Sequence, residues 1–250
     1  MQGVTMESHF IWWNTEHRPL DVHRLTEDVI ATSLHYSPKR RERFLHARVA
    51  LAELMAILYG YSKLPRTAID RHGRPFFIDP TLPDFSLAYA GHIVGVMLGC
   101  TGQVGLDIEV IRARQGGFIP LQQQWLSNTE KAWIARQEDR LEAITQLWTI
   151  RQSILKISGL GDSGLPTLHI QPGAGKLRSS VTPQVETLSA IHHDMAWSCS
   201  RSPALQRLHY WHMQPNGRLA NVDKEKRQEL DHSPSFLRFT SHTILQAIPD

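Results

Sequence analysis

Residues 37–60 read SPKRRERFLHARVALAELMAILYG, and this stretch constrains the fold more than any other. Ser37 is a typical N-cap residue and Pro38 is typical of the first helical position, so the pair predicts a helix start. Gly60 predicts its end. Apolar residues recur between them at the three- and four-residue spacing of a buried helix face, at Phe44, Ala47, Leu51, Leu54, Met55 and Leu58. We therefore predict one long helix that packs on a core.

A second helix pattern runs roughly from Leu141 to Ser158, and Gly159 ends it. A shorter helix near Ser127 to Arg136 precedes it. The apolar stripe of the long helix consists of Ile144, Leu147, Trp148, Ile154, Leu155 and Ile157. The chain therefore carries two long helices about one hundred residues apart.

Short strand patterns follow each long helix. Strands are predicted at Phe76–Ile78, Phe85–Tyr89, Ile93–Leu98, Val104–Val110, Thr167–Ile170, Met195–Cys199 and Leu208–Met213. The turn Thr101-Gly102-Gln103 predicts that Ile93–Leu98 and Val104–Val110 form a hairpin. The pattern indicates an α+β fold of two similar lobes, each a long helix packed on a small antiparallel sheet.

The domain boundary is predicted near residues 101–103. Residues 1–102 form the N-terminal lobe, residues 103–215 the C-terminal lobe, and residues 216–250 an extension that packs on the lobes. A last short element is predicted at Phe236–Ile248.

Composition narrows the function classes. The 250 residues are 41% hydrophobic, with 27 basic and 24 acidic residues and a formal net charge of +3, so we expect a folded protein with a phosphate-bearing ligand. Nucleic acid is not an expected partner, because aromatic and basic residues do not interleave on a strand platform. The longest apolar run, Ile93–Cys100, is far short of the roughly 20 residues that span a bilayer, and the N-terminus lacks a signal-peptide pattern. With only two cysteines, a reducing cytoplasm is the expected location.

The strongest chemical signal is Val104-Gly105-Leu106-Asp107-Ile108-Glu109-Val110. Alternate strand residues share a face, so Asp107 and Glu109 point the same way, about 7 Å apart. Two such carboxylates suit Mg²⁺, which also takes phosphate oxygens. The alternative interpretation is the polar face of a half-buried strand.

A third carboxylate is Glu130, in Leu126-Ser127-Asn128-Thr129-Glu130. Ser127 with Glu130 three residues later is a capping box, which explains both residues without a ligand. The two roles overlap, because a glutamate in a first helical turn can also face a cleft.

Two sets of residues, one on each long helix, are candidates for binding phosphate. On the second long helix Gln152 and Lys156 share a face and Arg151 lies about 100° away, an arrangement that suits phosphate oxygens or an ordinary polar helix face. The first long helix carries a basic cluster, which is either a phosphate site or a solvated face balanced by Glu42 and Glu53: Lys39, Arg40, Arg41, Arg43 and Arg48.

Five motifs in order resemble those of the 4′-phosphopantetheinyl transferases of the two-lobed, surfactin-synthetase-activating type. They are GRP at 73–75, FSLAYA at 85–90, GLDIE at 105–109, LSNTE at 126–130 and WTIRQSILK at 148–156. The order and spacing match the family over roughly residues 37–160, and the C-terminal third adds no motif.

The resemblance implies a monomeric enzyme that binds coenzyme A between its lobes and transfers the phosphopantetheine arm to a serine of an acyl or peptidyl carrier protein. It implies Mg²⁺ on Asp107, Glu109 and Glu130. Arg48 and Arg74, with Lys39 or Arg41, would hold the nucleotide phosphate. Arg151 and Lys156 would steady the pyrophosphate.

The chain departs from the family pattern at two positions. Gln152 replaces the glutamate proposed to deprotonate the serine, and an amide cannot accept that proton. Ala88-Tyr89 replaces a phosphate-contacting Ser-His, so Tyr89 offers one hydrogen bond and no positive charge. The sequence therefore predicts either a slow transferase, with another group as base, or a catalytically impaired relative that binds coenzyme A or a carrier protein without turnover.

Overall fold

The computed structural model describes residues 7–17, 20–111, 124–203, 207–214, 218–222, 233 and 235–241. The helices within these ranges are α1 (Glu27–Ser33), α2 (Pro38–Tyr59), α3 (Asn128–Ile134) and α4 (Arg140–Ser158), with shorter 3₁₀ turns at Thr15–His17, Gly161–Thr167 and Pro172–Ala174. The strands are β1 (Glu7–Asn14), β2 (Thr67–Ile69), β3 (Pro75–Phe77), β4 (Asp84–Ala90), β5 (Ile93–Gly99), β6 (Gln103–Val110), β7 (Leu168–Gln171), β8 (Lys176–Ser179), β9 (Glu186–His192), β10 (Met195–Ser202), β11 (Arg207–Met213), β12 (Leu219–Asn221) and β13 (Leu237–Ser241).

Both predicted long helices are confirmed. Helix α2 starts after Ser37 and ends at Gly60, which adopts the left-handed conformation. Helix α4 is N-capped by Asp139, whose carboxylate accepts hydrogen bonds from two backbone amides, and it ends at a left-handed Gly159. Ser37, Gly60 and Gly159 made three of the four boundaries predictable, because cap residues directly flank the helix that they bound.

The strands form two main sheets, which confirms the α+β class. The first has the order β12-β11-β1-β5-β4, the second has the order β6-β10-β9-β13-β8-β7, and β2 and β3 form a separate hairpin. Helix α2 packs on the first sheet and α4 packs across β6, β10 and β9. We expected purely antiparallel sheets, and this was wrong. Each sheet contains one parallel pair: β11 runs parallel to β1, and β13 runs parallel to β8.

The predicted β5–β6 hairpin is wrong. Strand β5 pairs with β1 and β4, whereas β6 pairs with β10 in the other sheet. Side chains of β4 instead bridge to the edge of β6: the Val104 amide donates to Asp84 Oδ2 over 2.8 Å, and the Leu106 amide donates to Ser86 Oγ over 3.0 Å. The turn at 101–103 therefore passes the chain from one sheet to the other.

The last strands divide between the two sheets. Strands β11 and β12 lie in the first sheet, although residues 207–213 fall within the range 103–215 predicted for the C-terminal lobe. Strand β13 lies in the second sheet and overlaps the element predicted at residues 236–248, of which 242–248 lie outside the described residues. The same holds for most of the predicted extension 216–250, which is described only at 218–222, 233 and 235–241.

The buried core has three parts. One lies between α2 and the first sheet, and another surrounds α4. The third joins the two sheets, with Met97 of β5 beside Leu106 and Ile108 of β6 and Trp197 of β10. Within the ranges given above, no helix is long and apolar enough to cross a bilayer.

Candidate functional site

A cavity of about 540 Å³ opens between the first half of the chain and α4. Its walls come from α2, the turn between β2 and β3, β4, α4 and the residues that follow α4. Both halves of the chain therefore contribute side chains to one pocket.

The cavity wall carries several cationic side chains, of which Arg74 and Lys156 are paired with the carboxylates of Asp84 and Asp107. Five lining residues carry a positive charge, and the lining residues in the described part of the chain include no aspartate or glutamate. Such a pocket attracts an anionic ligand, because fixed charges of one sign reinforce one another between low-dielectric walls. The five are Arg40, Arg43, Arg48, Arg74 and Lys156.

Aromatic rings hold two of these guanidinium groups in place. The Arg48 guanidinium lies 3.8 Å from the ring centre of Phe44, and its Nη1 donates to the Tyr89 hydroxyl over 2.7 Å. The Arg40 guanidinium lies 4.2 Å from the ring centre of Tyr36. Stacking on aromatic faces orients arginine without consuming all of its hydrogen-bond donors.

Arg74 reaches the cavity from the tight turn between β2 and β3. Asp70 Oδ1 accepts from the amides of His72 and Arg74, at 2.8 and 2.9 Å. The Arg74 guanidinium pairs with Asp84 and donates to the Val104 carbonyl at 3.0 Å. Burial raises the pKa of Asp84, and the charge of Arg74 opposes that shift.

Two guanidinium groups keep unused donor capacity. The Nε atoms of Arg43 and Arg74 are buried, and neither has a hydrogen-bond partner among the described residues. Both side chains line the cavity, so each guanidinium group enters its wall with part of its hydrogen-bonding capacity unused by the protein.

Lys156 connects the cavity to the acidic strand. Its Nζ donates to Asp107 Oδ1 at 2.8 Å, to the Leu106 carbonyl at 2.7 Å and to the Leu87 carbonyl at 3.4 Å. Three acceptors occupy the three protons of an ammonium group. Gln152, one turn earlier, also lines the cavity and donates from Nε2 to Asp162 Oδ1 at 3.0 Å.

Asp107 is the best placed candidate metal ligand. Its Oδ2 is buried and has no hydrogen-bond partner in the part of the chain that the structure describes. Burial raises the pKa of Asp107, and Lys156 opposes the shift. Glu109 lies two residues along β6, on the same face of the strand, as the sequence predicted. Asp107 and Glu109 are not among the residues that line the cavity, and Asp107 is joined to the cavity wall through Lys156. An unsatisfied carboxylate oxygen is a chemically suitable cation ligand.

Glu130 and Arg151 are placed differently from the expected site. The capping box is confirmed, since Ser127 Oγ and the Glu130 carboxylate each accept from the other's backbone amide. The other Glu130 oxygen pairs with Arg151, and the two side chains are 1% and 2% exposed. Neither residue lines the cavity. Within the described ranges, no three His, Cys, Asp or Glu side chains are arranged to hold a metal ion.

The basic cluster on α2 contributes different residues from those expected. Arg40 and Arg43 line the cavity, whereas Lys39 and Arg41 do not. The signal was available, because residues 40, 44 and 48 are four apart and share a helix face. His72 was missed, since nothing in the turn sequence shows that its ring faces the pocket.

Comparison with known proteins agrees with the family resemblance. The family model of the 4′-phosphopantetheinyl transferase superfamily matches residues 103–199. The chain is 36% identical over 216 residues to the uncharacterized protein YieE of Escherichia coli K12, covering 85% of this chain and 82% of YieE. This chain belongs to the 4′-phosphopantetheinyl transferase superfamily.

Two further relatives carry the name of the activity. A Haemophilus influenzae protein provisionally named a 4′-phosphopantetheinyl transferase is 27% identical over 188 residues, covering 70% of this chain and 78% of the relative. The 4′-phosphopantetheinyl transferase AcpT of Escherichia coli O157:H7 is 32% identical over 127 residues, and the match covers 48% of this chain and 59% of AcpT. The chain is thus a divergent member of the superfamily.

Proposed function

We propose that this protein transfers the 4′-phosphopantetheine arm of coenzyme A to a serine hydroxyl of an acyl or peptidyl carrier protein. The observation that carries the proposal is the cavity of about 540 Å³, with five cations in its wall, beside a buried and unpartnered oxygen of Asp107. Coenzyme A is rich in phosphate, so its charge complements such a pocket.

In this proposal the cavity is the ligand cleft between two lobes, and its arginines hold the phosphates of the nucleotide. Arg48 and Arg74 take the roles that the family resemblance implies, and the partly unsatisfied guanidinium of Arg43 joins them. Tyr89 acts by positioning Arg48, because its hydroxyl accepts from that guanidinium. Arg151 is not assigned a contact with the substrate, since its charge is paired with Glu130 in the interior.

Asp107 and Glu109 would hold a magnesium ion. The unpartnered Oδ2 of Asp107 fits this role, and one or two carboxylates commonly suffice when substrate phosphates and water complete the shell. Glu130 was the expected third ligand, and its pairing with Arg151 argues against that role. When bound, the ion would neutralise pyrophosphate charge.

Lys156 and Gln152 stand where the chemistry would take place. Lys156 fixes the carboxylate of Asp107 and adds positive charge to the cavity wall. Such a reaction depends mostly on positioning and charge neutralisation, and these residues supply both without themselves reacting. We further propose that the protein acts as a cytoplasmic monomer.

The test is intact-mass spectrometry of a carrier protein. The protein is incubated with coenzyme A, Mg²⁺ and either an apo-acyl carrier protein or an apo-peptidyl carrier domain. We expect a mass gain of one phosphopantetheine group, abolished by a chelator and by replacement of the acceptor serine with alanine. If no cognate carrier gains this mass, the proposal fails.

A second candidate function, binding without transfer, is favoured by Gln152. An amide at this position cannot accept the proton of the serine, and a missing base costs about 10²–10⁴-fold in rate. If the native protein binds coenzyme A in a Mg²⁺-dependent manner by calorimetry, yet only Gln152→Glu loads a carrier, the binding function is the correct one.

A further inference from the structure

The carboxylate of Asp162 lies within hydrogen-bonding distance of Gln152, whose amide cannot act as a base. Gln152 Nε2 donates to Asp162 Oδ1 over 3.0 Å. Gln152 and Gly161, the chain neighbour of Asp162, both line the cavity. Asp162 itself is exposed, so a hydroxyl group arriving from solvent can reach it.

The placement of Asp162 follows from the end of α4. Gly159 and Gly161 have positive φ angles of 70° and 54°, a conformation that side chains disfavour. These two residues turn the chain back along the last turns of the helix. A 3₁₀ turn over Gly161–Thr167 then begins, so the carboxylate of Asp162 meets a residue ten positions earlier.

The hydrogen bond also gives Gln152 a function. A carboxylate accepts and an amide nitrogen donates, so the contact orients Asp162 without neutralising its charge. A glutamine is therefore suitable here when the base is its partner. A glutamate in its place would put two negative charges within hydrogen-bonding distance, which is unfavourable.

We propose that Asp162 is the general base of the transfer reaction, a role that rests on the proposed function. The Asp162 carboxylate takes the proton of the serine hydroxyl as the serine oxygen bonds to the phosphorus that carries the pantetheine arm. The bond from that phosphorus to the bridging oxygen breaks, and its electron pair leaves on adenosine 3′,5′-bisphosphate. The protonated Asp162 then releases its proton to water, which restores the enzyme.

The decisive variant is Asp162→Asn, because asparagine keeps an oxygen acceptor for Gln152 and cannot accept a proton. With coenzyme A, Mg²⁺ and an apo-carrier protein, we expect kcat to fall at least about 100-fold while the KM for coenzyme A changes little. Asp162→Glu, which retains a carboxylate, should keep most of the activity. The control is Asp21→Asn, an exposed aspartate that accepts from the His23 amide and lies outside the cavity, and it should leave kcat unchanged.

A rescue experiment separates catalysis from folding. Adding Gln152→Glu to the Asp162→Asn variant returns a carboxylate to the same contact. The kcat of this double variant should be at least about tenfold higher than that of Asp162→Asn alone. If Asp162→Asn retains kcat within about threefold of the native enzyme, Asp162 is not the base, although the proposed function stands. If the native protein loads no carrier at all, both proposals fall.

Discussion

The backbone carbonyl oxygen of Ser153 lies 1.9 Å from the point where a Cβ atom on Gly105 would stand. Strand β6 and helix α4 therefore meet backbone to backbone at this point. The contact sets the approach of α4 to the strand, so that Lys156 of the helix reaches Asp107 of the strand.

Substitution of Gly105 by alanine should disrupt this contact. A rigid carbonyl cannot move aside as a flexible side chain can, so Gly105→Ala should lower the free energy of unfolding by about 1–3 kcal/mol. The measurement is urea unfolding. Gly173→Ala is the matched control, because nothing lies within 4 Å of its added Cβ, and it should change stability by less than about 0.5 kcal/mol. Equal effects of the two substitutions would contradict the argument.

The Glu130–Arg151 pair should behave as a structural ion pair. Glu130→Gln retains the capping box but leaves the Arg151 charge buried and unpaired, at a cost of about 3–5 kcal/mol in unfolding free energy. The double variant Glu130→Leu with Arg151→Met should recover much of that loss. If Glu130→Gln instead keeps full stability and abolishes Mg²⁺-dependent binding of coenzyme A, Glu130 is a metal ligand after all.

Arg48 should contribute directly to ligand affinity. Arg48→Ala removes a charge-assisted contact worth about 1.5–3 kcal/mol, so we expect coenzyme A to bind roughly 10- to 100-fold more weakly in calorimetry. Tyr89→Phe only loosens Arg48 and should cost less than about fivefold. Arg41→Ala, on the same helix but outside the cavity, is the control; a loss there as large as that of Arg48→Ala would return Arg41 to the site.

His9 should make the fold sensitive to acid. Burial, assisted by the charge of His209, lowers the pKa of His9 to about 4. The pKa in the folded state is thus below the ordinary value of 6.5, so protonation favours the unfolded chain. Stability from this group is present above about pH 6.5 and is lost as the pH falls toward 4, with a total of about 3 kcal/mol.

The pH dependence can be measured by unfolding at several pH values. His9→Asn keeps an acceptor near the position of Nδ1, which receives the Trp211 indole N–H at 3.1 Å, and removes the titration. The variant should lose less stability than the native protein between pH 6.5 and 4. His35→Asn, at an exposed histidine, should follow the native curve; identical curves for all three proteins would exclude His9 as the cause.

Local signals explain what the sequence could predict. Ser37, Gly60 and Gly159 bound the two long helices, and each acts on residues next to it in the chain. Strand pairing, in contrast, depends on residues far apart in the chain. Strand β6 pairs with β10 about ninety residues later, and the turn at Gly102 carries no information about that partner. Strand β9 was missed, and it is buried on both faces, one of which carries the hydroxyl groups of Thr187 and Ser189.

The interface between α4 and the second sheet also contains contacts that the sequence did not predict. Thr149 Oγ1 lies 2.7 Å from Ser198 Oγ, and Ser153 Oγ lies 2.7 Å from Ser200 Oγ. All four side chains are buried, so a row of hydroxyl pairs takes part in packing that the apolar stripe alone was expected to provide. Hydroxyl-bearing residues resemble loop sequence until their partners are known.

The sequence pointed to several residues of the cavity wall, but not to the ion pairs and hydrogen bonds that they or their neighbours form. Arg48, Arg74, Gln152 and Lys156, which the sequence put forward as binding or catalytic residues, all line the cavity, and their roles stay predictions. The partner of Arg151 depends on how α3 docks on α4, and spacing along the chain carries no information about that. The motifs of the family likewise end before Asp162, so the contact with Gln152 had no counterpart in the sequence.

The parallel pairing of β1 with β11 has a consequence for synthesis of the chain on the ribosome. Glu7 pairs with Arg207, so β1 is synthesised some two hundred residues before the strand that pairs with it. Until that neighbour emerges, one edge of β1 remains open to other strands, and nascent polypeptides with such edges are prone to aggregate. Any fragment that stops before residue 207 should inherit this vulnerability permanently.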